Sequence, residues 1–277
     1  MSSEERAGGP AGSRRLPPQA SPDDLWPPLP SGPGQPRPDH RDDPAARRGR
    51  ERVRPRLSRE EIIDAAIAIA DAEGAEALSM RRIAQVLRAG TMSLYWHVPG
   101  KERLLELMRD MLMAEVEVPE PSGDWRADLR ATAVSMRGML SRHRWLMDFV
   151  GARPPLGPTT LLTLEAQLAT LAVLDLDAHT DFDILTALNT YVSGAVQRET
   201  QELRSFEADR ALQTEAGDFE PLMRAWRDRL AGTGLFPHVV EFMETGVDPD
   251  AIETMEHRFE FGLDCLLDGI AARIGRR

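Results

Sequence analysis

Apolar positions recur every three or four residues through most of the chain, and this spacing is typical of helices. In the first such segment, Ile62, Ile63, Ala66, Ile67 and Ala70 fall on one face. Nowhere do polar and apolar residues alternate over more than four positions, as they would in a half-exposed strand. The pattern therefore predicts an all-α fold.

Helix boundaries near the start of this pattern are marked by capping residues. Ser58 and, three residues later, Glu61 form a capping box before the first apolar stripe. Ser79 is placed to cap a second, short helix, and a third is predicted at about 91–98. A proline and a glycine then stop the third helix before a longer fourth helix begins. The sequence thus predicts four closely spaced helices.

The segment 118–124, "VPEPSGD", predicts a linker, and the helical pattern continues beyond it. Asp124 and Asp248 are predicted N-caps, and Pro249 occupies the first position of the last helix. Residues 207–221, "EADRALQTEAGDFEP", have little apolar content and predict a mobile loop. The predicted helices of this second part are 125–141, 159–174, 181–206, 221–231 and 249–274.

Residues 1–57 hold 12 of the 21 prolines and almost no apolar periodicity. Proline removes backbone donors and disfavours helix, so this segment predicts a disordered arm. Its last part, "RRGRERVRPR" at 47–56, is rich in arginine. Two interpretations stay open: a solvated tail, or a basic arm that follows a DNA backbone or enters a minor groove.

The net charge of −11 conceals two regions of opposite charge. Residues 45–113 hold 13 Lys and Arg against 10 Asp and Glu, whereas residues 114–277 hold 16 against 28. A mildly basic segment joined to an acidic body suggests two functions. Lys101 is the only lysine, so the abundance of arginine alone is no evidence for phosphate recognition.

The remaining composition excludes several classes of protein. Cys265 is the only cysteine, so neither a disulfide framework nor a cysteine-rich metal site is expected. No run of about 18 apolar residues and no signal-peptide core is present, which predicts a cytoplasmic protein without membrane contact. The chain also lacks a nucleophile elbow, HExxH, a phosphate-binding glycine loop and CxxC. We expect neither an enzyme nor a bound cofactor or metal.

Two short helices joined by a tight turn, the second rich in polar and aromatic groups, predict a helix-turn-helix. Leu94 and Val98 are four residues apart and can anchor the third helix on the first two. Hydroxyl, phenol and imidazole groups on its other faces can bind phosphates or base edges. Trp96 could instead complete a small core. The side chains expected to lie outward or edgewise are Thr91, Ser93, Tyr95, Trp96 and His97.

The stretch "LSMRRIAQVLRAGTMSLYWHVPGKERLLELM" resembles the DNA-binding signature of the TetR family of transcriptional regulators. Within it, "LYWHVPGK" is similar to the tetracycline-repressor branch, and "HRWLMDFVGARPPLGP" further on resembles the C-terminal domain of that branch. The resemblance implies a DNA-binding domain at 58–117 and a helical ligand-binding and dimerisation domain at 118–277. It also implies a homodimer whose third helices enter successive major grooves of an operator.

The resemblance further implies roles for individual residues. Arg81 matches a basic residue that reaches a guanine, and Lys101 matches a lysine that touches the DNA backbone. Tyr95 and His97 match phosphate contacts. The base-reading start of the third helix corresponds to Thr91, Met92 and Ser93.

One position departs from the family pattern. Arg88 stands where the family usually has glycine in the turn between the second and third helices. Glycine there eases a positive φ, so either Arg88 accepts strain or the turn shifts to Gly90.

The acidic body offers candidates for a ligand pocket and a dimer contact. Methionine and aromatic clusters at helical spacing are usually core, but they can also line a pocket for an apolar or amphipathic ligand. The candidate pocket residues are Met136, His143, Trp145 and Phe149. The candidate dimer residues, on the last long helix, are Phe259, Leu263, Leu266 and Leu267.

These observations favour a ligand-responsive transcriptional repressor. It would bind a palindromic operator as a homodimer and be released by a small-molecule effector. The alternative is an activator or an architectural DNA-binding protein without an effector.

Overall fold

The computed structural model of the chain describes residues 57–149, 156–216, 219–246 and 252–275. Over these ranges the chain is helical and forms no strand, which confirms the all-α prediction. Apart from Leu57, the predicted arm lies outside the described residues, as do the predicted cap Asp248 and the adjoining Pro249.

The described residues form ten α-helices and several short 3-10 turns. Within these ranges, no helix combines the length and apolarity needed to cross a bilayer. We refer to α1–α4 as the head and to α5–α10 as the body. The helices are α1 Arg59–Glu73, α2 Met80–Val86, α3 Thr91–His97, α4 Lys101–Leu112, α5 Trp125–Arg142, α6 Pro158–Leu171, α7 Ala178–Ala216, α8 Phe219–Thr233, α9 Pro237–Glu244 and α10 Ile252–Ile274.

The predicted capping box starts α1. The Glu61 backbone N–H donates to Ser58 Oγ, and the Ser58 N–H donates to the Glu61 carboxylate, both at 3.0 Å. The buried face of α1 includes Ile69, whereas Ile67, which was predicted on that face, is half-buried. Ser79 caps α2 by accepting from the Arg82 N–H at 3.1 Å. Because α1 also packs on α2 and α4, it organises the head.

The body is built on α7, which packs against α5 and α10. Asp124 caps α5 as predicted, accepting from the Ala127 N–H at 3.1 Å. Apolar side chains from the three helices meet in one core. The large buried side chains include Leu129, Met139, Leu188, Val192, Phe259, Leu263 and Leu267.

Arginines of α5 add charged contacts at the edge of this core. Arg130 pairs with Glu260 and Asp264 of α10. Arg137 pairs with Glu199 of α7 at 3.0 Å, and its guanidinium lies 4.3 Å from the Phe259 ring centroid. These contacts orient α5 across both long helices.

The prediction of a mobile loop at 207–221 is wrong for every residue of this segment that the structure describes. Residues 207–216 continue α7, and residues 219–221 open α8. The segment holds three alanines and three glutamates, which favour helix. Low apolar content alone therefore does not predict a loop. α9 has no counterpart among the predicted helices, although Pro237 at its first position is a start signal.

Candidate nucleic-acid interface

α3 is a seven-residue helix that is held on the head along one edge. Leu94 and Val98 are fully buried, as their four-residue spacing predicts. Arg59 of α1 adds a polar anchor, because its Nε donates to the His97 carbonyl at 3.2 Å. This bond satisfies a carbonyl at the C-terminal end of the helix, where no intrahelical donor is available.

The other faces of α3 project large side chains into solvent. Trp96 is 87% exposed, Met92 72% and Tyr95 44%. The alternative that Trp96 completes a small core is therefore wrong. Ser93 is exposed as well, while Thr91 and His97 are half-buried at the edges. The predicted reading residues thus form one continuous surface on a single short helix.

Two adjacent arginines of α2 have different surroundings. Arg82 is paired with Glu73 of α1, with 2.6 Å between Nη2 and Oε1. The hydrogen bond from Arg82 lowers the pKa of Glu73. Arg81 is exposed and makes no hydrogen bond or ion pair with any residue that the structure describes. Arg82 thus fixes α2 on α1, while Arg81 is available for a ligand.

Lys101 opens α4 directly after Gly100, which supplies no side-chain cap. Its ammonium donates to the Ala75 carbonyl over 3.4 Å, and the side chain is exposed. One long hydrogen bond leaves two of the three ammonium donors unused. Lys101 is therefore positioned on the surface of the head and can still bind a phosphate.

Sequence reasoning missed Arg59 as an interface residue. A basic residue in the first turn of a helix opposes the helix dipole. That local mismatch is the signal that could have found it, since the contact with α3 spans 38 positions in sequence.

The head is joined to the body through a buried histidine. His143 Nδ1 lies 2.8 Å from Asp71 Oδ1 in α1, and His143 Nε2 lies 3.1 Å from Glu115 Oε1 after α4. Trp145 Nε1 donates to the same Asp71 oxygen at 2.8 Å. We call these four residues the His143 joint. They link two head elements to the 3-10 turn Arg144–Phe149 of the body.

Glu115 also accepts from Arg142 at 2.7 Å. Burial raises the pKa of Glu115, but the hydrogen bonds with Arg142 and His143 outweigh burial and leave that pKa below its ordinary value. The carboxylate is thus stabilised in its charged form by the contacts of the joint.

A second connection runs from α4 to the start of α6. The buried Asp110 carboxylate accepts from the Thr160 N–H at 2.9 Å and from the Thr160 hydroxyl at 2.7 Å. The chain passes so closely that a Cβ on Gly157 would lie 2.2 Å from Asp110 Cγ. Asp110 therefore caps a body helix from within a head helix, and we call this contact the Asp110 joint.

Two of the four predicted ligand residues, His143 and Trp145, belong to the His143 joint. Both ring nitrogens of His143 already face carboxylates, so the prediction that His143 binds a ligand is corrected to a role within the joint. Trp145 is buried and lines a cleft of about 400 Å³ between α1 and the body. Phe149 and Met136 are half-buried. The cleft is lined by Ala70, Asp71, Gly74, Ser141, Arg142, Arg144, Trp145, Asp148 and Arg204.

Phe149 connects this region to α4. Its ring stands edge-on to Trp145, with 6.1 Å between centroids, and the Arg109 guanidinium lies 5.7 Å from its centroid. Burial lowers the pKa of Arg109, partly offset by Glu106. A displacement of Phe149 would therefore change its contact with Arg109 of α4.

The predicted dimer residues need correction. Phe259, Leu263 and Leu267 are at most 2% exposed and pack within one chain, so they are unavailable to a partner. Leu266 is half-buried. The face of α10 that is open instead carries Phe261, which is 64% exposed.

Comparison with known proteins agrees with this arrangement of head and body. Residues 62–108 match the family model described as bacterial regulatory proteins, tetR family. Residues 118–274 match the tetracyclin repressor-like C-terminal domain.

Relatives with assigned names are regulators. The chain is 35% identical to the HTH-type transcriptional repressor DrrR1 of Streptomyces coeruleorubidus, over 81% of each chain. It is 31% identical to the class A tetracycline repressor protein from transposon 1721, from Escherichia coli, over 76% of this chain and 89% of the relative.

Solved structures show the same fold. Apo ActR from Streptomyces coelicolor superposes with a TM-score of 0.60 at 30% identity, covering 80% of this chain and 98% of ActR. ActR in complex with actinorhodin gives a TM-score of 0.57 at 31% identity, covering 79% and 99%. The chain therefore belongs to the TetR family of DNA-binding transcriptional regulators.

Proposed function

We propose that the protein is a homodimeric repressor that binds a palindromic operator through α3 and is released by a small-molecule effector. The observation that carries the proposal is the exposure of Trp96, Met92 and Tyr95 on a helix that is anchored by Leu94, Val98 and Arg59. Large exposed side chains beside a basic segment suit a DNA groove better than solvent.

In this proposal α3 enters the major groove and its first turn contacts base edges. Arg81 reaches a guanine from α2, because a guanidinium matches the two guanine acceptors in that groove. Tyr95, His97 and Lys101 contact phosphates and fix the register of the head. The base-reading residues are Thr91, Met92 and Ser93, and Trp96 packs at the edge of the groove.

The dimer contact is proposed on the open faces of α10 and α7. Phe261 and Cys265 of α10 are exposed, and the Phe261 ring lies 6.3 Å from the His257 ring. A cleft of about 380 Å³ lies between the two helices beside Gly194, where no atom would meet an added Cβ. The open space at Gly194 permits close approach of a second copy at that point.

Effector control is supported by the solved complex of ActR with actinorhodin. In this chain, Trp145, Met136 and Phe149 remain candidates for ligand contact, and the Phe149 ring lies 5.7 Å from the Arg109 guanidinium of α4. The His143 and Asp110 joints connect the body to the head at two places. An effector that favours a head position unsuited to DNA lowers DNA affinity. The coupling free energy is typically 1–3 kcal/mol.

A footprint on the DNA that flanks the protein's own gene tests the operator. We expect protection of a palindrome whose half-sites lie one or more helical turns apart, about 34–36 Å per turn. Broad protection without a palindrome would instead support an architectural protein.

The single cysteine provides a direct test of the dimer contact. Cys265 lies on the proposed face, so a series of bismaleimides of increasing length should link two chains through this residue alone. Phe261→Asp should abolish the linked dimer, whereas Val173→Asp, at a site of similar exposure outside α7 and α10, should not. Equal cross-linking in both variants would refute the proposal that this face forms the dimer contact.

Actinorhodin is the first compound to test as an effector. Operator affinity measured with and without it should differ by about 5- to 150-fold if it acts here. An affinity that neither actinorhodin nor a metabolite extract changes would leave a constitutive repressor.

A further inference from the structure

Arg88 adopts a backbone conformation that arginine rarely occupies. Its φ is +50°, in the left-handed region, at the turn between α2 and α3. The turn has not shifted to Gly90, whose φ of −75° is open to any residue. Arg88 therefore carries the strain of this turn.

Backbone hydrogen bonds explain why the strain persists. The Ala89 N–H donates to the Ala84 carbonyl at 2.9 Å, and the Arg88 N–H donates to the Gln85 carbonyl at 3.2 Å. This pair of bonds is the Schellman arrangement, which places the first residue beyond the helix cap, here Arg88, in the left-handed region. Glycine is the residue favoured there, because it has no Cβ to clash.

The Arg88 side chain receives no compensation inside the chain. It is exposed, and it makes no hydrogen bond or ion pair with any residue in the described ranges. Strain at a residue whose side chain has no partner in the described ranges points to a contact outside the molecule.

The position of the turn identifies the class of partner. Arg88 precedes the N-cap of α3 by two residues, so its Cα lies within about 7 Å of the start of the reading helix. A major groove is about 12 Å wide, with phosphates along both rims. An extended arginine at this distance reaches a rim while α3 occupies the groove.

We infer that Arg88 binds a DNA backbone phosphate beside the groove that α3 enters, and that the strained turn is retained for this contact. The inference rests on the proposed placement of α3 in DNA. It assigns Arg88 a sequence-independent role, in contrast to the base-reading role of Arg81.

Three substitutions separate the charge from the strain. Arg88→Gly removes both, Arg88→Asn removes the charge at a residue type that tolerates the left-handed region, and Arg88→Lys keeps both. Binding to a mixed-sequence duplex is measured over a salt series, and thermal unfolding is followed in parallel. A mixed sequence suffices, because a phosphate contact does not depend on the bases.

For Arg88→Gly we expect the salt slope to lose about 0.9 and the affinity at 0.1 M salt to fall roughly eightfold. The Tm should rise by about 2–4 °C as the strain is relieved. Arg88→Asn should lose the same affinity with a smaller rise in Tm. Arg88→Lys should bind like the wild type.

Unchanged affinity and slope in Arg88→Gly would overturn the inference. Weaker binding with an unchanged slope would overturn it too, because the effect would then come from a tilted α3. If the wild type itself binds no duplex, the proposed function fails along with it, and this outcome is distinct from the other two.

Discussion

α3 and α10 both expose a large aromatic side chain, and they lie in regions of opposite charge. α3 presents Trp96 at 87% exposure within residues 45–113, where basic residues outnumber acidic ones by 13 to 10. α10 presents Phe261 at 64% exposure within residues 114–277, where acidic residues outnumber basic ones by 28 to 16. Both rings are largely exposed, but the net charge of the surrounding sequence has the opposite sign.

The difference shows that the net charge around an exposed ring can indicate its class of binding partner when exposure alone cannot. An exposed apolar ring marks an interaction surface of some kind. A polyanion is attracted to a segment of the chain that is net positive and repelled by one that is net negative. This contrast supports the proposal that the rings of α3 face DNA and that those of α10 face a second copy of the chain.

The largest expected effect separates two phenylalanines of α10. Phe259→Ala empties a buried site and should cost about 3–5 kcal/mol of unfolding free energy. Phe261→Ala should change that free energy by less than about 0.5 kcal/mol, measured below the dimer dissociation concentration. Urea unfolding tests the first effect, and equilibrium sedimentation should show that Phe261→Ala weakens the dimer. The reverse ranking would mean that α10 is turned the other way.

The same contrast applies within α3. Leu94→Ala should cost about 2–5 kcal/mol, because Leu94 is fully buried against the head. Trp96→Ala should leave stability within about 0.5 kcal/mol and weaken DNA binding. Thermal unfolding and an anisotropy titration measure the two effects. A large loss of stability in Trp96→Ala would show that the ring supports the core.

A smaller effect is expected at the Asp110 joint. An added methyl in Gly157→Ala must displace the Asp110 carboxylate and should destabilise by about 1–3 kcal/mol. Gly232→Ala in α8 meets nothing within 4 Å and should leave stability unchanged or slightly higher. Equal stability of the two variants in urea unfolding would show that α6 does not depend on this cap.

The smallest effect concerns the pH dependence of the His143 joint. The pKa of Glu115 is lowered in the folded chain, so its stabilisation is present above its ordinary pKa of 4.5. It is lost as the pH falls through the lowered value. The Tm of the wild type should therefore exceed that of Glu115→Gln at pH 7, and the difference should shrink towards pH 3. A gap that stays constant would mean that Glu115 carries no pH-dependent stability.

Local signals predicted much of the fold. The capping box at Ser58 and the four-residue spacing of Leu94 and Val98 each depend on neighbours within one helix turn or so. Their consequences can be read along the chain without knowledge of distant contacts. The anchored and exposed edges of α3 were predictable for this reason.

Features that depend on distant partners were not predictable. An apolar stripe such as Phe259, Leu263 and Leu267 looks the same whether it faces a core or a second chain, so its assignment to the dimer contact was wrong. His143 meets Asp71 across 72 positions in sequence, and no local pattern marks such a joint. The helix at 207–216 was missed because low apolar content was taken for a loop.

The most direct test of the central claim, that α3 reads DNA, is a salt titration of operator affinity by fluorescence anisotropy. It compares the wild type with Tyr95→Ala/His97→Ala, and with Trp226→Ala as a control for an exposed ring in the acidic body. We predict that the double variant loses affinity and salt slope, while Trp226→Ala binds like the wild type. Tight binding by the double variant with an unchanged slope would contradict the account, since another surface would then hold the DNA.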